Sequence, residues 1–557
     1  MKKIFTALCL MLTMTCCSDY LTEDNKADVL ADELYRTASG FENLVNASYS
    51  SLRNVYTSPF IFESGTDICV DGRNPGPVGL SAYQSLSPGE TAVATFYQTV
   101  YQAIQTCNTG LFYAEVTDPQ ATVPARKGEM KFIRAYYYFL LAQQFGGVSL
   151  VTEMINTALT TFDRNTEEET YSFVVSELEE ALSLVDENPA FGRVGKRAVK
   201  HLLAKVYLTR GYLSFGNAED FTKASMLADE AINGYNLSSI SFKDLFWPGK
   251  DKNNEVLFSI QYTNTSLQPV PSGGALTGST QSGYFGPYHG GEGLAKGYPW
   301  RSYNLIPTSY YFDLFKKNDV RWEGTFMNVM YERYFDFYDK TDKAAVKVAR
   351  YYPQSWELAD TAAWRAADPA NRTKTQIIPY RIKATSPLVN AWEQPNVYQD
   401  NITPAVRKFD DPTATTFGTG AGTRDIYLMR LAETYLIAAE AYLKRNDKAT
   451  AMLRINAVKA RAERTPNTLQ LTSPDQVTID EILDERAREL YGEYHRWFDL
   501  KRTGKLVDRV MLYNKDVRGV PNAFVGTGGE LKILRPIPQV ALELNTNKEF
   551  PQNPAYQ

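Results

Sequence analysis

Histidine occurs three times in this chain and cysteine five times, against 557 residues in all. Zinc sites draw on several His and Cys at short, fixed spacings. His495 has no second His or Cys at such a spacing, so no metal and no other cofactor is expected. Three of the cysteines, Cys9, Cys16 and Cys17, crowd the N-terminus. Cys69 and Cys107 remain, too few for a disulfide framework, and their spacing leaves open whether they pair or stay reduced. A surplus of one charge is also missing: 59 Lys and Arg stand against 64 Asp and Glu, a net charge of −5. The basic residues are spread among acids and form no long run, which excludes the electrostatic footprint of a nucleic-acid binder. Long apolar runs are absent too. The run 4–14 falls short of the ~20 residues that a membrane-spanning helix needs, and no later stretch reaches that length. What is plentiful is the aromatic ring: 36 Tyr, 28 Phe and 7 Trp, or 13% of the chain. A phenol has an apolar face and a hydrogen-bonding tip. Such rings serve a large core with many half-buried Tyr, and equally a surface for polar ligands with apolar faces. At 44% hydrophobic residues, the chain has ample material for a core.

The N-terminus, MKKIFTALCLMLTMTCCSDY, opens with two lysines and then the apolar run, the n-region and h-region of an export signal. Cys16 and Cys17 stand where a small-residue cleavage site belongs. A bacterial lipoprotein signal ends at a cysteine whose thiol is acylated and which becomes the new N-terminus. Met14 lies three residues before Cys17, where a Leu-like residue is wanted. Residues 1–16 are therefore expected to be a lipoprotein signal peptide and Cys17 the lipidated residue, with Cys16 the alternative. Two or more acyl chains hold a protein stably on a bilayer without spanning it.

Beyond the tether, apolar residues recur at helical spacing in 35–56, at Phe41, Leu44, Val45, Tyr49 and Leu52, and helix signals resume near Thr91. The stretch 125–153 reads as a long amphipathic helix stopped at Gly146 and Gly147. Residues 170–189 carry a stripe of Val174, Leu178, Ala181 and Val185, with Glu177, Glu179 and Glu180 assigned to a solvated face. Paired helical patterns follow at 196–235 and again at 424–463. Ala204, Ala228, Ala439 and Ala441 recur where two helices must approach closely. These pairs look like degenerate tetratricopeptide units, a helix-turn-helix repeat of about 34 residues. The expected architecture is mostly α: a single unit over 17–557, with a frame of tetratricopeptide-like hairpins at 35–239 and 424–510. A loop-rich insertion at 240–423 carries the binding surface, and a C-terminal tail covers 511–557. Within that insertion, 269–304 spaces Tyr284, Phe285, Tyr288, Tyr298, Trp300 and Tyr303 along a Gly- and Pro-rich backbone. A long irregular loop in a compact domain is usually functional or disordered, and the rings argue against disorder. TFGTGAGTRD (416–425) has no apolar strand before its glycines, so it reads as a loop rather than a dinucleotide fingerprint.

Seven stretches in order resemble the SusD/RagB family of surface lipoproteins. They are CSDYLTED, GEMKFIRAYYYFLLAQQFGGVSLVTE, GRVGKRAVKHLLAKVYL, PTSYYFDLFKKNDVRWEGTF, YLMRLAETYLIAAEAYLKRND, ILDERARELYGEYHRWFDLKRTGKL and the tail LRPIPQVALELNTNKEFPQNPAY. The resemblance spans nearly the whole chain. It implies a non-catalytic lipoprotein on the cell surface of the outer membrane. Such a protein captures an oligosaccharide or polysaccharide and delivers it to a partner SusC-like, TonB-dependent transporter. It also implies that ligand sites are built from loops of the kind at 60–90 and 269–304. The candidates are then Asp67, Arg73 and Tyr83 from the first loop and Tyr284, Tyr288, Trp300 and Arg301 from the second. The segment RELYGEYHRWFDLKRTG (488–504) imitates an active site, but Arg486, Glu489, Glu493 and Arg496 recur at steps that suit side-chain pairs along a helix. It reads as frame, with Trp497 and Phe498 anchoring it by burial and no catalytic residue assigned. Three other readings remain open: peptide capture of the RagB type, a glycoside hydrolase with two carboxylates across the scissile bond, and a lipid-tethered scaffold that binds only protein.

Overall fold

The structure, a computed structural model, describes residues 31–557 apart from Arg73, 268–276, 288–298, Trp300, Tyr303, 380–402 and 413–420. Its frame is a run of helical hairpins. Helix α1 (Ala38–Val55) starts where the Thr37 hydroxyl accepts the Gly40 amide at 3.1 Å, and it buries Phe41, Leu44, Val45 and Leu52. Helix α2 is Thr91–Tyr113 and α3 is Val123–Phe145. Pro124 lies in the first turn of α3, and Gly146 ends it at φ 74°, a left-handed conformation that a side chain would strain. Helix α4 (Glu167–Leu184) is opened by a capping box in which Thr166 and Glu169 satisfy each other's backbone amides at 3.1 and 2.8 Å. A second box, Asn217 with Asp220, opens α6 (Ala218–Ile232), the partner of α5 (Lys196–Arg210). After the insertion come α7 (Leu431–Lys444), α8 (Lys448–Arg461), α9 (Ile479–Leu490) and α10 (Arg496–Arg502).

Consecutive helices pack as hairpins, α3 on α4, α5 on α6 and α7 on α8, while α6 also lies against α7, joining the two halves of the frame. Ala204, Ala228, Ala439 and Ala441 are all fully buried, which lets the backbones approach closely. The fold is thus the mostly helical, tetratricopeptide-like one that the spacing predicts. Three local expectations are corrected. Helix α3 is not amphipathic: every residue from 128 to 145 is buried, because neighbours cover it on all sides. Glu177 leaves the solvated face; Lys131 and Arg134 reach it from α3 at 2.6 Å each, so its charge is neutralised in the interior. The segment before α7 is a strand, because residues 426–430 pair antiparallel with 256–260, Ile426 opposite Ile260 and Tyr427 opposite Ser259.

Nine short strands are described: β1 (Cys69–Asp71), β2 (Val256–Ile260), β3 (Leu305–Pro307), β4 (Phe326–Met327), β5 (Val329–Tyr331), β6 (Val348–Tyr351), β7 (Gln376–Ile377), β8 (Ala405–Val406) and β9 (Ile426–Arg430). They form the pairs β1–β3, β2–β9 and β4–β8 and the three-stranded sheet β5–β6–β7. The region 240–423 has its own aromatic core, in which Tyr311, Phe312, Phe315, Trp322 and Phe326 close over Tyr491 and Ala487 of the frame. Arg321 fixes that contact electrostatically, bonding Glu485 of α9 at 2.6 Å and Glu489 at 3.1 Å. Cys69 and Cys107 are both buried and free, which settles the pairing that their spacing leaves open.

Candidate functional site

The two loops singled out by the sequence lie side by side. Strands β1 and β3 pair antiparallel, with Cys69 opposite Pro307, Val70 opposite Ile306 and Asp71 opposite Leu305. The ladder continues as Gly72 N–H donates to Asn304 O at 2.7 Å, and the Asn304 side-chain amide donates to Asn74 O at 2.7 Å. On the other flank, Thr280 Oγ1 donates to Thr57 O at 2.9 Å. Between these stitches the rings of Phe60 and Tyr284 meet edge to face, centroids 5.4 Å apart at 84°. Both rings are half-buried, and Ser58, Asn74 and Ser302 are accessible around them. Burial raises the Tyr284 phenol pKa, with Ser58 as its hydrogen-bonding partner, so the hydroxyl stays protonated and can donate. The result is an apolar platform with neutral hydroxyl and amide groups at its rim. Such a set can cover one face of a polar ring while bonding its edge.

The predicted residues divide sharply. Tyr284 is on this surface. Asp67, Tyr83 and Arg301 are not: their exposures are 0%, 0% and 1%, and the expectation that they contact ligand is corrected. Asp67 receives Arg496 on both oxygens and Arg509 on one, and its backbone carbonyl accepts Thr308 Oγ1 at 2.8 Å. Tyr83 packs on Phe524, with ring centroids 4.0 Å apart, and donates to Gly65 O at 2.8 Å. Arg301 binds Asp410 at 2.5 Å, Val406 O at 2.8 Å and Ser282 O at 2.7 Å, while Tyr334 and Tyr338 donate to the second Asp410 oxygen at 2.7 and 2.8 Å. Loops without regular ladders need other partners for their backbone polar groups, and Tyr83 and Arg301 turn inward to supply them; Asp67 turns inward to neutralise Arg496 and Arg509. Arg73, Tyr288, Trp300 and the lipidation candidate Cys17 lie outside the described residues, as does the first half of the glycine loop at 416–425.

Phe60, Asn74, Ser302 and Asn304 were missed by the sequence reading. The available signal was strand-like: ICVD and LIP are short β-formers next to Gly and Pro, and pairing them antiparallel would have put Asn304 beside Gly72 and Ser302 beside Asn74.

The histidine-bearing segment 488–504 is frame. Gly492 and Tyr494, at φ 72° and 67°, turn the chain between α9 and α10. Arg488 with Glu485 and Arg502 with Asp499 pair along their own helices as the spacing suggested, at 2.8 and 3.0 Å, but most of the segment's charges reach across elements. Glu489 meets Arg430 at 2.6 Å, Arg321 at 3.1 Å and also Arg461; Glu493 meets Arg430 and Lys408, each at 2.6 Å; Arg486 meets Asp499 at 2.6 Å. Burial works against ionised Glu489, but Arg461, Arg430 and Arg321 override it and bring its pKa to about 2. For His495, burial dominates over the attraction of Glu433 and pushes the imidazole down to about 3. A neutral ring then accepts from Lys205 Nζ at Nδ1, 3.1 Å away. Among the described residues, no three His, Cys, Asp or Glu are placed to hold a metal ion, and no helix is long and apolar enough to cross a membrane.

A sequence model of the SusD family matches residues 250–556, and one described as starch-binding, associating with outer membrane, matches residues 31–208. The chain belongs to the SusD family. SusD-like protein P2 of Formosa agariphila is 24% identical over 579 aligned positions, covering 100% of each chain. The starch-binding protein SusD of Bacteroides thetaiotaomicron is 24% identical over 457 positions, covering 77% of this chain and 73% of that protein. Among solved structures, a laminarin binding SusD-like protein superposes with a TM-score of 0.67 at 21% identity, over 94% of this chain and 100% of the other. At that identity the likeness is one of fold. It covers the frame, the insertion and the tail together.

Proposed function

We propose that this SusD-family protein is a glycan-binding lipoprotein of the outer-membrane surface, which captures an oligosaccharide and passes it uncut to a TonB-dependent transporter. The observation that carries the reading is the stitched pair of loops, 57–76 and 280–307, which presents Phe60 and Tyr284 beside Asn74 and Ser302. A sugar ring has apolar C–H faces and a rim of hydroxyls, and this surface matches both. The charged groups behind it, Asp67 with Arg496 and Arg301 with Asp410, are consumed by one another. They hold the loops in place and aim no acid, base or nucleophile at a ligand bond. The family models and the names of relatives, one starch-binding and one laminarin binding, point to the same ligand class. Acylation at Cys17 would keep the surface at the membrane, and moderate affinity suits hand-over, since a tightly held ligand leaves slowly. The test is calorimetric titration of the full-length protein in detergent with a panel of neutral oligosaccharides, each recovered and sized afterwards. Binding of at least one glycan, weakened by Tyr284→Ala, with the glycan recovered intact, is the expected result. Shortened products, or binding confined to peptides, would replace this reading.

A further inference from the structure

A separate groove opens elsewhere on the frame, where the α4–α5 connection meets the start of β2. It encloses about 500 Å³, within the range of small-ligand sites. Its walls include the half-buried rings of Phe191 and Tyr235, and the amides of Asn188 and Asn254 are exposed at its rim. Cations stand against both rings: Lys252 Nζ lies 5.6 Å from the Phe191 centroid and Arg197 Cζ 3.1 Å from that of Tyr235. The charge balance decides what fits. Arg193, also in the wall, is neutralised by Glu42 and Glu129. Arg197 donates to a neutral acceptor, the Ala231 carbonyl, at 3.0 and 2.8 Å and also meets the neutral Tyr235 phenol. Among the described residues, no carboxylate lies within ion-pair distance of Arg197 or Lys252. The single carboxylate in the wall, Glu187, is 3.5 Å from Lys196. The groove therefore combines ring faces, amides and two cations without a directly paired carboxylate, Glu187 acting on Arg197 only at longer range.

We propose that this groove is a second ligand site, one that takes an acidic saccharide, a sugar ring bearing a carboxylate or sulfate. The rings cover the C–H face, the amides bond hydroxyls, and Arg197 with Lys252 receive the anionic group, Arg197 as a planar fork and Lys252 as a mobile point charge. A neutral sugar gains no charge–charge attraction from those cations, so the groove discriminates where the Phe60–Tyr284 surface, whose described rim is neutral, does not. The inference stands independently of the reading of that surface.

The experiment titrates the full-length protein with trigalacturonate, with a sulfated chondroitin disaccharide and, as a neutral control, with maltotriose. Lys252 is exposed, so Lys252→Glu is expected to melt with the native protein. The expected result is binding of at least one acidic probe, weakened about tenfold or more by Lys252→Glu and by raising the salt from 0.05 to 0.5 M, and unchanged by Tyr284→Ala. The inference is overturned if neither acidic probe binds at millimolar concentration. It is equally overturned if binding survives Lys252→Glu, or if Tyr284→Ala removes it. Loss of neutral-glycan binding alone would count against the proposed function and leave the groove standing.

Discussion

Asp67 accepts hydrogen bonds from Arg496 on both carboxylate oxygens, at 2.7 and 2.6 Å, across 429 residues of sequence. Arg509 adds a third bond at 2.8 Å. The loop that supplies half of the candidate surface is thereby tied to the C-terminal helices by a contact that it cannot make alone.

Removing that carboxylate should be costly. Asp67→Ala leaves the buried Arg496 guanidinium without its anion, while Arg509 keeps Asp480 and Asp484, and breaking a buried pair from one side costs about 3–5 kcal/mol. Chemical denaturation should show that loss at pH 7, and Asp67→Asn should recover only part of it. The pH dependence has a definite sign. Burial opposes the charge, but Arg496 and Arg509 hold the folded pKa below the ordinary 3.8. The stabilisation is therefore present above the unfolded pKa and is lost as pH falls through the folded one, so native and Asp67→Asn proteins should converge in acid.

Glu63 predicts the opposite trend. It is fully buried, accepts one bond, from the Tyr494 amide at 2.8 Å, and leaves its second oxygen without a partner. Burial pushes its pKa from 4.5 up to about 8. Between those values the unfolded chain releases the proton while the folded protein keeps it, so stability falls as pH rises, by about 1.4 kcal/mol per unit, and levels off above the folded pKa. Glu63→Gln should remove that slope. In urea titrations at pH 5, 7 and 9 the variant should gain on the native protein with each step; parallel profiles would contradict the assignment.

These two carboxylates show what sequence reading reaches. The helical frame was legible because its signals are local: the stripe Val174, Leu178, Ala181 and Val185, the stop at Gly146, the small residues where helices touch. The position of the candidate loops was legible through family resemblance. The direction of their side chains was not. Whether Asp67 faces solvent or Arg496 is decided by a residue more than four hundred positions away, and Arg301 turns inward because Asp410 awaits it there. Glu177 was misplaced for the same reason, since Lys131 and Arg134 lie on another helix. Composition and periodicity carry no term for such partners.

The two free thiols give a chemical check on burial. Cys107 is enclosed on α2, and burial raises its pKa to about 12; the Cys69 thiol is raised as well. A thiolate is the reactive form, so N-ethylmaleimide at pH 7.5 should leave both residues unmodified in the folded protein and label both in urea, as read by peptide mass spectrometry. A reducing agent should not shift the melting temperature, since no bond joins the pair. Rapid labelling of Cys69 in the native state would mean that strand β1 opens readily.

The Phe60–Tyr284 contact decides whether the platform works as a unit. The two rings come from different loops, and their edge-to-face geometry at 5.4 Å sets the tilt of the Tyr284 ring. If that tilt matters for stacking on a sugar, Phe60→Ala should weaken binding of a neutral glycan even where Phe60 itself touches little of it. Tyr284→Ala should cost about 1–2 kcal/mol, or five- to thirtyfold in affinity, and Tyr284→Phe less, because the phenol keeps its face and loses only its tip. The double variant is the informative one. Rings acting independently give additive losses. A supporting ring gives a double loss smaller than the sum, with a coupling of about 0.5–1.5 kcal/mol. Calorimetry on the four proteins of that cycle measures the coupling directly, and an additive result would make Tyr284 a lone contact with Phe60 as a bystander in the loop.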